Sequence, residues 1–214
     1  MFPLMISRKE HWDTIYASRE PHQRGWTQAH PAPSLELIHR VQLPKSAAII
    51  DIGGGDSRLV DHLLDEGYQD LTVLDISEKA IGQAKARLGD RAAQVKWIVG
   101  DINEFRPLRS YDCWHDRAVF HFLLTPDEIG RYLQTAREAV RRYLVIGTFS
   151  DKGPSTCSQL PVHRYTEESL TEQVADGFEK LHCITEDHVT PFDTRQNFLF
   201  CVFQRRKKNP GNIR

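Results

Sequence analysis

Short apolar runs alternate with one-sided amphipathic stretches along most of this chain. The apolar runs at residues 47–52, 71–75, 95–99, 111–115 and 143–146 read as strands. Between them, Leu59, Val60, Leu63 and Leu64 form the apolar face of a helix that ends at Gly67. Ser77 caps a second helix, whose buried stripe is Ile81, Ala84 and Leu88 and whose stop is Gly89. Thr125, Pro126 and Glu128 supply a cap, a first-turn proline and a capping box for a third, with Ile129, Leu133, Ala136 and Val140 as its stripe. Thr166 caps a fourth helix, which runs through Leu170 and Val174. Strand alternating with helix predicts a parallel sheet with crossover helices. The rhythm then changes. Residues 181–189 and 197–204 are two strand-like runs joined by a short loop containing Pro191, which predicts an antiparallel hairpin at the end of the sheet.

Composition narrows the class. A length of 214 residues suits one domain with a sizeable core, and 40% hydrophobic with 27% charged residues is ordinary for a soluble globular protein. A formal net charge of −1 gives no electrostatic case for a nucleic-acid partner. No apolar run approaches the length of a membrane span, so no membrane role is expected. The first apolar residues meet Arg8, Lys9, Glu10 and His11 at once, unlike a signal peptide. Cys113, Cys157, Cys183 and Cys201 form no C-x-x-C pair, and three of them lie in apolar runs where a cysteine is a small core residue. A reducing, cytoplasmic location is the expectation. The basic end, residues 207–214, is expected to be a flexible, solvated tail.

The candidate chemistry sits at the strand ends. The first strand breaks into Gly53-Gly54-Gly55, with Asp51 two residues before and Asp56 directly after. The glycines let a backbone approach a ligand closely. The two carboxylates would repel a pyrophosphate and suit a positively charged ligand, such as the ammonium and sulfonium of S-adenosylmethionine. A dinucleotide fingerprint needs a small residue where Arg58 stands, which disfavours a nicotinamide-dependent oxidoreductase. Asp75 closes the second strand, 24 residues after Asp51, where a carboxylate can accept from ribose hydroxyls. Asp101 closes the third and can accept from an exocyclic amine, with the Ile102 amide facing the ring and Ile76 available to pack on it. Trp12 and Tyr16 are one helical turn apart and share a face.

Together, Asp51-x-Gly53-x-Gly55, Val73-Leu74-Asp75-Ile76-Ser77 and Gly100-Asp101-Ile102 resemble the class I S-adenosylmethionine-dependent methyltransferases. The resemblance covers roughly residues 34–204. Ser57 stands where the family's third glycine is usual. The family implies a Rossmann-like α/β fold with helices on both faces of a seven-stranded sheet ordered 3-2-1-4-5-7-6, strand 7 antiparallel. It further implies an N-terminal cap, residues 1–33, closing over the cofactor of a 34–206 catalytic domain, with Trp26 touching the methionine end. The region ending the fourth strand borders methionine and substrate in this family. Asp116 there could hold the cofactor's ammonium, and His115, Asp116 and His121 are candidate catalytic groups. Alignment and desolvation alone can carry methyl transfer to a good nucleophile, so a dedicated base is not required.

Residues 153–165 follow the fifth strand and are rich in specific side chains. Cys157, His163, Arg164 and Tyr165 are read as a substrate-side wall, with Arg164 able to pair with a carboxylate. The expectation is a methyltransferase acting on a small-molecule acceptor and releasing S-adenosylhomocysteine, without a metal. A protein lysine methyltransferase is the alternative, although no D-x-G-T-type sequence follows the fourth strand. A non-catalytic cofactor-binding module is a third reading, disfavoured by the intact motifs. The acceptor atom and the oligomeric state are open.

Overall fold

A computed structural model describes residues 6–207. The elements in chain order are α1 (Arg8–Ser18), α2 (Ala32–Arg40), β1 (Ala48–Ile52), α3 (Leu59–Asp65), β2 (Asp70–Asp75), α4 (Glu78–Leu88), β3 (Val95–Val99), β4 (Tyr111–Arg117), α5 (Pro126–Ala139), β5 (Val140–Phe149), β6 (Thr156–Cys157), β7 (Leu160–Pro161), α6 (Glu167–Val174), β8 (Phe178–Val189) and β9 (Arg195–Arg205). The main sheet has seven strands ordered β3-β2-β1-β4-β5-β9-β8. The first five are parallel, and β9 runs antiparallel to both β5 and β8. This is the expected order, with the small β6–β7 hairpin inserted after the fifth strand.

The caps form as the sequence predicts. Ser77 accepts from the Ala80 amide at the start of α4, and Thr125 and Glu128 close a capping box at α5. Thr166 does the same with Ser169 at α6. Several elements differ from expectation, β8 and β9 by starting at Phe178 and Arg195. α2 escapes a sequence reading because no side chain caps it, with Pro31 just before its first turn and Pro33 within it. β5 starts at Val140, directly on the end of α5, rather than at Tyr143.

One core cluster packs α5 and α6 against the sheet through Trp114, Tyr132, Leu133, Ile146, Leu170 and Phe203. The other packs α2 and α3 against the opposite face through Leu37, Ile38, Leu59, Leu63, Val145 and Phe200. Successive residues of β4 therefore serve different layers.

Two sequence expectations change here. Cys183 and Cys201 face each other in register on β8 and β9 and form a disulfide, while Cys113 and Cys157 are free. The cysteine pattern thus gives no argument for a reducing compartment. No helix among the described residues is long and apolar enough to cross a membrane. The expected tail, residues 207–214, lies outside the described residues except for Lys207.

Candidate functional site

The parallel strands end at one edge of the sheet, and a cavity opens there. β1 turns sharply as it ends. Gly53 and Gly55 adopt positive φ, 65° and 45°, which only glycine takes without strain. Space is equally short. A Cβ on Gly53 would lie 2.0 Å from Val119, and one on Gly54 2.6 Å from Asp51 Oδ2. One on Gly55 would lie 2.9 Å from Asp75 Oδ2 and from the Tyr16 hydroxyl.

The acids lie around this turn. Asp51 and Asp75 are 5% and 6% exposed. Asp75 Oδ1 accepts from the Ser77 amide at 2.7 Å. Burial pushes the Asp75 carboxyl up to about 7, opposed by its backbone hydrogen bonds and reinforced by Asp51 and Asp56. Asp101 Oδ1 accepts from the Asn103 amide at 2.8 Å, which shapes the turn after β3 and leaves the buried Ile102 on the cavity wall. Asp51 Oδ1 lies 2.7 Å from His115 Nδ1, and His115 Nε2 lies 2.9 Å from Ser34 Oγ, so the imidazole is clamped between a carboxylate and a hydroxyl.

The N-terminal segment closes the cavity. Ser7 and Glu10 form a capping box at α1. Asp13 then accepts from the Ser77 hydroxyl at 2.7 Å, and Gln83 donates to the Tyr16 carbonyl at 2.9 Å. Trp12 packs edge-on against Trp26 and Phe122, with centroids 5.7 and 5.2 Å away, and Tyr16 packs on Trp26 at 6.0 Å. Arg24, only 1% exposed, pairs with Asp56, donates to the Arg19 carbonyl and to Gln83, and stacks over the Tyr16 ring at 4.6 Å. Asp56 is therefore committed to an internal ion pair.

Most of the residues expected to hold the cofactor come together here. Trp12, Tyr16, Trp26, Asp51, Gly53, Gly54, Asp75, Ile76, Asp101 and Ile102 line one cavity, and Gly55 completes the turn beside them. Asp116 does not join them. Strand parity sends it to the opposite face from His115, fully buried. Its Oδ1 accepts from the amides of Val119 and Phe120 at 3.0 and 3.2 Å, and its Oδ2 from the Tyr132 hydroxyl at 2.8 Å. Burial raises its carboxyl to about 6. It organises the turn after β4 and offers nothing to the cavity.

His121 is also displaced. It is fully buried, stacks on Phe149 at 4.5 Å and is pushed down to about 3 by burial and by Arg117, so it is a weak base. Of the expected substrate wall, only Cys157 reaches the cavity. Exposed Arg164 donates to the carbonyls of Asp151 and Gly153 at 3.1 and 3.3 Å. His163 stacks on buried Tyr165 at 4.4 Å, away from the cavity. A loop residue's direction cannot be read from its neighbours in sequence, and these three do not line the cavity.

Ser34 and Phe122 line the cavity and were missed as site residues, while Arg117 and Val119 line it within the region after the fourth strand without having been singled out. Arg117 had a signal: it stands two residues beyond His115 and so shares its face. No group of three or more His, Cys, Asp or Glu side chains among the described residues is arranged to hold a metal ion.

A glycine turn flanked by strand-end acids, at the carboxyl edge of a sheet with this order, defines a nucleotide-type cradle in a methyltransferase fold. A family described as a methyltransferase domain matches residues 49–142. The eEF1A lysine and N-terminal methyltransferase of Mus musculus is 28% identical over 120 residues, 56% of this chain and 17% of its own length. The EEF1A lysine methyltransferase 2 of Homo sapiens is 26% identical over 191 residues, 84% of this chain and 77% of its own. Among solved structures, the 1,6-didemethyltoxoflavin-N1-methyltransferase of Burkholderia thailandensis superposes with a TM-score of 0.69 at 19% identity, covering 93% of this chain and 87% of that one. The chain spans only 17–20% of the length of the first two curated relatives it matches. Residues 49–142 thus match a methyltransferase domain, and the sheet around them has the order of the class I S-adenosylmethionine-dependent methyltransferase fold.

Proposed function

We propose that this chain is an S-adenosylmethionine-dependent methyltransferase whose acceptor is an amine carried on a protein, of the lysine side-chain type. The donor half of the reading rests on one observation: the glycine turn, Asp51, Asp75 and Asp101 converge on a cavity walled by Trp12, Tyr16 and Trp26. Bound there, the cofactor supplies an electrophilic methyl group on its sulfonium. Asp75 accepts from the ribose hydroxyls. Asp101 and the Ile102 amide meet the adenine edge, and Ile76 packs on its face. Asp51, held in place by His115, faces the ammonium end. The aromatic wall excludes water from the reacting atoms, which leaves alignment and desolvation as the main catalytic contributions.

The acceptor half rests on a relative that spans most of the fold, a protein named as a lysine methyltransferase. Trp12, Trp26 and Phe122 form an apolar wall suited to a lysine's aliphatic stem and cationic head. A small-molecule acceptor bearing a carboxylate is the second reading. It is favoured by a buried guanidinium, that of Arg117, in the cavity wall.

The test is methyl transfer from tritiated S-adenosylmethionine into a cell lysate, split into macromolecular and soluble fractions. Label in protein, recovered as methyl-lysine after hydrolysis, supports the first reading. Label confined to the soluble fraction overturns it in favour of the second. Failure of the purified, folded protein to bind S-adenosylhomocysteine overturns both.

A further inference from the structure

Arg117 closes β4 on the cavity side of the sheet. Its Nη1 donates to the Trp26 carbonyl at 3.0 Å, and its guanidinium carbon lies 5.1 Å from the centre of the Phe198 ring. Among the described residues, Nε and Nη2 have no hydrogen-bond partner, although both atoms are buried. Among the described residues no carboxylate forms an ion pair with the group, while Asp51 and Glu186 are near enough to favour its charge. Burial lowers its pKa only to about 10, so it is a cation at neutral pH.

A buried cation with two idle donors is costly unless something completes it. The two idle donors are on the same edge of the guanidinium. Nε–H and Nη2–H point the same way, a fork whose spacing matches the two oxygens of a carboxylate. The place is equally specific. Arg117 lines the donor cavity with Asp51, Gly53 and Trp26. Trp26 and Cys157 in turn line a second opening, together with Arg19 and Gln196. Arg117 thus stands where the donor cradle meets a route from solvent. The residue after it, Ala118, has a φ of 69°, a strained conformation for alanine, in the turn that bears the guanidinium.

We propose that Arg117 is a carboxylate receptor, its Nε–Nη2 edge taking a carboxylate side-on at the junction of the two openings. The proposal rests on the donor-site reading above. The carboxylate has two possible sources, the amino-acid end of the donor or the acceptor. If the acceptor supplies it, the enzyme selects acceptors with an acidic group close to the methylated atom.

Calorimetry on the wild-type protein comes first, with S-adenosylhomocysteine and its decarboxylated analogue. Failure to bind either would overturn the donor-site reading, which is distinct from a failure of the Arg117 proposal. A loss of about tenfold or more on decarboxylation, abolished in Arg117→Met, assigns the receptor to the donor. Equal binding of both ligands, with Arg117→Met leaving their affinities intact but reducing labelled transfer into the wild type's product about tenfold, assigns it to the acceptor. In that case millimolar acetate inhibits the wild type and not the variant. Arg117→Lys keeps the charge without the fork and should recover only part of either effect. Should Arg117→Met fail to fold, Arg117→Lys and the wild-type analogue comparison decide alone. The proposal is overturned if decarboxylation leaves affinity within twofold and Arg117→Lys leaves transfer within twofold. It is also overturned if Arg117→Met weakens 5′-methylthioadenosine, which has no carboxylate, as much as it weakens S-adenosylhomocysteine.

Discussion

Asp75 and Arg117 are both buried charges in the wall of one cavity, and the protein serves them differently. Asp75 accepts from the Ser77 amide at 2.7 Å and sits against a turn whose three glycines have no room for a side chain. Arg117 spends one nitrogen on the Trp26 carbonyl and leaves its other edge open. The donor side of the cavity is fixed by strand ends and backbone. On the proposed reading, the acceptor side is assembled from the turn after β4 and the β6–β7 hairpin, with α1 and the Trp26 segment bordering both sides. A backbone-built subsite holds one ligand shape, because altering it means moving the sheet. A side-chain-built subsite can be re-specified by single substitutions, which leaves acceptor choice as the variable part of this scaffold.

Removing the carboxylate of Asp75 should break this comparison most sharply. Asp75→Asn keeps the shape and the bond from Ser77 but offers the ribose a weaker, partly mismatched partner. Hydrogen bonds to charged groups are worth about 1.5–3 kcal/mol, so affinity for S-adenosylhomocysteine should fall ~10- to 100-fold, with an unfolding midpoint no lower than the wild type's. A change below threefold in titration calorimetry would mean that Asp75 does not hold the ribose.

The same carboxyl predicts a pH dependence. Burial holds it at about 7 in the free protein, and only the ionised form can accept from both ribose hydroxyls. Binding therefore strengthens as pH rises through that value. Between pH 6 and pH 8 the affinity should increase about tenfold in the wild type, and Asp75→Asn should flatten the curve. The stability effect has the opposite sign. A carboxyl raised above its unfolded value favours the folded state below the unfolded pKa and loses that advantage as pH rises through about 7. An unliganded protein that bound better and also unfolded at a higher midpoint on alkalinisation would point to another group.

Asp116 tests the other face of β4. It was legible as a strand-end acid but not as a buried hub, because its role depends on one step of strand parity and on Tyr132, contributed by α5. Asp116→Asn should lose the bond from the Tyr132 hydroxyl and keep those from Val119 and Phe120. The cost should be about 1 kcal/mol in denaturant unfolding, with donor affinity within twofold. A large loss of binding with unchanged stability would return Asp116 to the site.

Parity and pattern explain how far the sequence carries. The sheet order, the glycine turn and the acids of β1, β2 and β3 were readable because each is local: a strand, its end and the residue that follows. Their position relative to a ligand then comes with the fold. The ion pair of Arg24 with Asp56, the clamp of His115 by Ser34 and the disulfide of Cys183 with Cys201 join segments 32, 81 and 18 residues apart. No local pattern announces them. The loop after β5 failed for the same reason in reverse. Its side chains looked purposeful together, but only Cys157 reaches the cavity: the β6–β7 hairpin turns through Ser158 and Gln159 at positive φ, 49° and 69°, and beyond it Tyr165 is buried in the core while His163 and Arg164 stay exposed.

Arg164 gives the smallest expected effect and the cleanest contrast with Arg117. Arg117 closes β4 and Arg164 follows the β6–β7 hairpin, and both were candidates for the acceptor side. Arg164 is exposed, and its donors close on the carbonyls of Asp151 and Gly153, so its charge is solvated and its geometry is local. Arg164→Ala should change stability by less than about 0.5 kcal/mol, as surface substitutions do, and leave methyl transfer within twofold. If steady-state kinetics instead showed a tenfold rise in acceptor KM with kcat held, the acceptor would extend over the loop to the protein surface. That outcome would favour a protein acceptor over a small one, since a ligand confined to the Arg117 junction has no means of reaching Arg164.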